Sequence, residues 1–134
     1  MNTLTDSAKT DLATGLLAWD DADVRAVLVD GNSYIFSKAH TTLADVPSGA
    51  RLSMTAALTG KTILNGVADA DDTVLPGPVT AHGTMLVLVQ YNVVPASARM
   101  IGMIDTVARG LPTPITDQDL PVVWDNGANK IFAI

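Results

Sequence analysis

Three groups of residues in this chain have types and spacing that chemistry could use. The first is Asp69, Asp71 and Asp72. Clustered carboxylates can hold Ca²⁺, but such a site needs further oxygens at set positions. The calcium-loop pattern of spaced Asp or Asn, a central Gly and a distal Glu is absent, so this spacing reads as a solvated turn. Asp20, Asp21 and Asp23 read the same way. The second group is His40 and His82, far apart in sequence and neither in a ligand-spaced motif. No G-x-S-x-G elbow exists to supply a nucleophile for them. The third is Gly60, Gly66 and Gly77, which lie between apolar runs as turn residues. They form neither G-x-G-x-x-G nor a Walker A loop. Trp19 and Trp124 could stack on a ligand, but large isolated aromatics more often close a core, and that is their expected role. The residues therefore predict no catalytic site, no cofactor and no metal centre.

Composition narrows the function classes further. The chain has 134 residues and reads as a single domain over residues 1–134, long enough to bury a sizeable core. Its net charge is -6, and every acid is Asp; there is no Glu. Asp favours turns and caps, whereas Glu favours helix surfaces. The bases are scattered singly, so no basic face is expected for nucleic acid. Cysteine is absent, which excludes disulfides and thiolate chemistry. The N-terminal residues lack the basic-then-apolar order of a signal peptide, and the longest apolar run, residues 85–89, is far short of a membrane span of ~20 residues.

Short strands must carry whatever surface the chain presents. Asp6 or Ser7 can cap a short helix with Ala8 and Leu12 on one face, stopped by Gly15. Residues 16–19 and 24–29 read as strands joined by an Asp-rich turn, the second with one face partly wet. Residues 30–50 form the longest stretch without strong periodicity, either a functional loop or a packed excursion, with a short strand at 34–36 and a helical turn at 42–46. Residues 84–91 hold the run MLVLV, which predicts a central strand buried on both faces. Residues 98–105 follow, with Gly102 as a weak point or bulge. The last residues, 122–134, read as a hairpin turning at Asp125-Asn126-Gly127, with Trp124 and Phe132 closing the core. The pattern predicts a mainly β fold: an antiparallel β-sandwich or partly closed barrel with a short N-terminal helix.

The order of these pieces resembles a family of small tailed-bacteriophage virion proteins. It runs from a helix ending at Gly15 to Trp19-Asp20-Asp21-Ala22-Asp23 and the Val24-Arg25-Ala26-Val27-Leu28-Val29 strand. His40 with Leu43-Ala44-Asp45-Val46 follows, then Ala68-Asp69-Ala70-Asp71-Asp72, Met100-Ile101-Gly102-Met103-Ile104 and the closing Trp124 to Phe132 segment. The chain departs from the family pattern where Thr41-Thr42 follows His40 and where Leu75-Pro76 stands in place of a Trp. The resemblance implies a non-enzymatic structural part of a virion, assembled in the host cytoplasm. The leading expectation is a capsid decoration, or cement, protein that binds the major capsid protein in many copies. The alternatives are a tail, neck or fibre-associated virion protein, or a carbohydrate-binding β-module dependent on Tyr34 or Tyr91. By analogy with capsid-surface proteins, a symmetric homo-oligomer such as a trimer is expected, with no nucleic-acid or membrane partner. Partner contacts are expected from residues 1–9 and 31–50, with Leu4, Tyr34, Phe36 and His40 as candidates.

Overall fold

The computed structural model describes residues 2–77, 83–109, 111, 118–128 and 130–133. Within them lie strands β1 (Thr3–Leu4), β2 (Val24–Val29), β3 (Arg51–Met54), β4 (Thr62–Leu64), β5 (Val67–Asp69) and β6 (Thr73–Leu75). β7 (Met85–Gln90), β8 (Arg99–Ile104), β9 (Val107–Arg109), β10 (Leu120–Trp124) and β11 (Phe132–Ala133) follow. Helix α1 spans Asp6–Thr14, and short 3₁₀ turns occupy Leu43–Asp45, Ser48–Ala50 and Pro95–Ser97. A five-stranded antiparallel sheet, ordered β1-β8-β7-β2-β3, forms the centre. Two three-stranded antiparallel sheets, β6-β10-β9 and β11-β5-β4, complete a sandwich-like, mainly β fold. No sheet closes into a barrel among the described residues. No described helix is long and apolar enough to cross a membrane.

The central sheet is buried on both faces, and side-chain alternation sorts its residues between two cores. Val24, Ala26, Leu28, Leu86 and Leu88 face the small sheets and meet Trp19, Leu75, Val122, Trp124, Ile131 and Phe132. Val27, Val29, Val87, Val89 and Met100 face the opposite way, under Tyr34, Leu43, Val46 and Ala50. MLVLV is thus a central strand, as its continuous apolar run predicts. On the face of β2 expected to be partly wet, Arg25 is half-exposed, while Val27 and Val29 are dry because residues 34–50 cross the sheet and cover them. A bulge in β8 lets this two-sided pattern work. Leu88 pairs with Gly102 and Val89 with Met100, so Ile101 is extra, and Ile101 and Ile104 reach the same core despite their odd spacing.

Local structure departs from the sequence reading at four places. The helix cap is Thr5, not Asp6 or Ser7: its hydroxyl accepts from Ala8 N at 3.1 Å. Gly15, with φ 80°, ends α1 as expected. Residues 16–19 form no strand, because Leu17 N returns to Asp11 O at 3.1 Å and Ala22 N to Ala18 O at 2.8 Å. Residues 34–36 form none either; Tyr34 points into the second core while Ile35 is 86% exposed. Among the described residues the two arms of the expected closing hairpin do not pair. β10 pairs with β6 and β9, and β11 pairs with β5, so the two apolar runs enter different sheets.

Candidate functional site

The Asp69 to Asp72 turn holds the tryptophans in place. Trp19 Nε1 donates to the Asp69 carbonyl at 3.2 Å, and Trp124 Nε1 donates to the Asp71 carbonyl at 3.0 Å. Trp124 N donates to Asp72 Oδ1 at 3.1 Å. The Asp71 carboxylate accepts from Thr59 Oγ1 at 3.2 Å, and Asp69 meets Lys130 Nζ at 3.1 Å. Buried indoles need such acceptors for their N–H groups. The turn is therefore part of the core's closure rather than simply solvated. Among the described residues no group of three His, Cys, Asp or Glu could hold a metal ion.

Trp19, Trp124 and Phe132 are all buried, and Trp19 packs edge-to-face on Phe132 with centroids 5.0 Å apart. The proposed contact residues divide. Leu4 is buried beneath α1 and β8, so it offers no surface to a partner. Tyr34 is also buried, at 4% exposure, which removes it as a stacking platform for a sugar. Its hydroxyl lies 2.7 Å from His40 Nδ1, a separation that suits donation to Nδ1 with the imidazole proton on Nε2. Burial, and then the nearby Asp45 charge, push the Tyr34 phenol up to about 12. His40 is half-buried in this pair, and Phe36 is half-buried against the second core. His82 lies outside the described residues.

Residues 31–50 are thus a packed cover that crosses a face of the sheet. Asp45 fixes one end: its Oδ2 accepts from Thr41 N at 2.8 Å and Thr42 N at 3.2 Å. These two bonds, the Thr41 bond foremost, hold its carboxyl below the usual range. Thr41 and Leu43 then bond β8 directly, Met100 N donating to Thr41 O and Leu43 N to Ala98 O, both at 2.9 Å.

An open cleft of about 310 Å³ lies beside β3. Its floor is Val27 and Leu43, one wall is β3, and the other is the β7–β8 connection from Tyr91 to Pro95. That wall is firmly built. Tyr91 N donates to Asp23 O at 2.7 Å, and Arg25, paired with Asp23, lies 3.7 Å over the Tyr91 ring. Asn92 Oδ1 accepts from Val94 N at 2.9 Å, which turns Val93 outward to 82% exposure. Arg51 is the charged residue of the lining. Its Nε donates to Val46 O at 3.0 Å, and it has no carboxylate partner among the described residues. Sequence reasoning touched this cleft only at Tyr91, as a candidate glycan-binding aromatic, and did not assemble the site. The available signal was the solvent-facing Val93-Val94-Pro95, an apolar triplet in a connection rather than in a strand. No protein-family model matches the chain, and no curated protein matches it.

Proposed function

We propose that this chain is a non-enzymatic structural protein of a tailed-bacteriophage virion, most specifically a capsid decoration protein bound in many copies to the outer head. The observation that carries the reading is where the polar and apolar groups are placed. Aspartate carboxylates hold backbone N–H groups in turns and at strand ends, while an open cleft with Val93 on its rim, and exposed Val94 beside it, is left on the surface. That is the division expected of a protein whose work is adhesion. The order of motifs along the chain supports the virion assignment. The major capsid protein is the partner on this reading, and a symmetric homo-oligomer sets the copy number at each site. Many weak identical contacts would then add through avidity. The glycan-binding reading loses Tyr34 to the core and has Tyr91 stacked beneath Arg25.

The test is binding of the purified protein to expanded capsids. Saturation at a fixed ratio to the capsid subunit, with greater resistance of the heads to heat and shear, is the expected result. Capsids equally robust without it, together with co-purification of the protein with tails, would overturn the decoration reading.

A further inference from the structure

The two edges of the central sheet are finished differently. The β8 edge is sealed along its length. β1 pairs with Gly102 and Met103, Thr5 N donates to Ile101 O at 2.9 Å, and residues 41–43 bond Ala98 and Met100. The β3 edge has no neighbouring strand among the described residues. Thr55 N donates inward to Ala26 O at 2.9 Å, so by alternation the N–H and C=O of Met54 point out of the sheet. An open edge of this kind is a template for another strand. Here it borders the apolar cleft and carries the Arg51 guanidinium, in a chain whose net charge is -6.

We infer that the β3 edge and its cleft take an extended strand from a partner protein, with apolar side chains at alternate positions and a carboxylate facing Arg51. Backbone bonds to Met54 supply register. The cleft between Met54 and Val93 takes an apolar side chain, and Arg51 selects the acidic one by charge complementarity. The inference rests on the reading of the protein as an adhesion module, and it names the chemistry of the segment bound.

The probe is a capped hexapeptide, Thr-Val-Thr-Asp-Thr-Val, whose apolar and acidic side chains share one face, titrated into the ¹⁵N-labelled full chain, with its Asn counterpart as control. Saturable amide shifts confined to β3, Tyr91 and Val93 are expected, with roughly two- to fivefold weaker binding of the Asn peptide. Arg51→Gln should erase that preference. Met54→Pro removes the outward N–H, and Val93→Asp, at a freely exposed position, charges the rim without touching the core; both should abolish the shifts. No shifts, or shifts elsewhere, overturn the inference. So does concentration-dependent self-association abolished by Val93→Asp, which would assign the edge to a second copy. Capsid binding that survives both Met54→Pro and Val93→Asp sinks this inference and leaves the decoration reading standing. Peptide binding without capsid binding does the reverse.

Discussion

Gly102 is a position where one added carbon should do clear damage. It pairs with Leu4, and a Cβ built there would lie 2.5 Å from the Thr3 carbonyl oxygen and 3.1 Å from Leu4 Cα. Both neighbours are backbone atoms, so no rotamer change relieves the overlap. Gly102→Ala must drive β1 back by roughly 1 Å to reach ordinary contact. The retreat pulls on everything β1 holds. Thr5 N bonds Ile101 O at 2.9 Å, and Thr5 Oγ1 bonds Met100 O at 2.9 Å while capping α1. Asn2 accepts from Asp105 N and Thr106 N, each at 3.0 Å, and donates to Ile131 O at 2.7 Å. Overpacking of this kind costs about 1–3 kcal/mol. For a domain of this size, that lowers Tm by about 3–10 °C. Gly49→Ala is the matched control, because a Cβ there meets nothing within 4 Å; its effect should stay within about 1 kcal/mol, on the stabilising side. Thermal unfolding followed by tryptophan fluorescence measures both. Amide exchange at Thr5 reports the local effect and should accelerate only in Gly102→Ala. Equal midpoints for the two variants with unchanged Thr5 exchange would refute the reasoning.

Four other outcomes are expected. Asp72→Ala leaves the Trp124 N–H without its acceptor and should cost about 1–2 kcal/mol in urea unfolding, most of it recovered by Asp72→Asn. Asp11 and Arg99 form a forked pair, with Arg99 Nη2 2.8 Å from Asp11 Oδ2. Because the arginine side chain is 46% exposed, a double-mutant cycle should give a coupling of only about 1 kcal/mol. Tyr34 has its folded pKa raised to about 12, so its contribution is intact below the unfolded value near 10 and is lost as pH rises through about 12. Tyr34→Phe should flatten alkaline unfolding in that window, and an unchanged alkaline limb would contradict the burial argument. Asp45 has a lowered folded pKa, so its contribution is present above the unfolded value and is lost as pH falls through the folded one; Asp45→Asn should flatten the acid limb of stability.

Legibility followed the range of the interaction. Gly15 as a helix stop, Asn65-Gly66 as a positive-φ turn between β4 and β5, and MLVLV as a central strand were all readable from their own residues. The failures needed information from distant residues. Val122-Val123-Trp124 and Ile131-Phe132 look like two arms of a hairpin because an Asp-Asn-Gly turn lies between them. Their partners are decided instead by β5, β6 and β9, and by Ile131 N finding Ala68 O at 3.1 Å. Tyr34 looked available to a ligand because it sits in an aperiodic stretch; only the apolar far face of β2 and β7 explains why that stretch is pulled down onto the sheet. The cleft was hardest to see, since Arg51, Val27 and Tyr91 have nothing in common along the chain.

The all-Asp acidity acquires a physical meaning once the turns are known. Asp30 accepts from Asn32 N at 2.9 Å, Asp125 from Gly127 N at 3.1 Å, and Asp119 from Gly77 N at 2.7 Å. Asp45 and Asp72 do the same for Thr41 and Trp124. In the Asp30 and Asp125 turns a carboxylate on a short stem reaches the backbone N–H two residues on, and Glu, one methylene longer, fits that ring less well. Asp119, Asp45 and Asp72 instead tie backbone N–H groups of other segments. Part of the negative charge of this chain therefore sits on carboxylates that hold the backbone in place. The charge we infer to meet a partner is the guanidinium of Arg51, held at Nε by Val46 O beside the β3 edge. A surface that repels anions broadly and accepts one at a strand-shaped cleft is selective through that contrast.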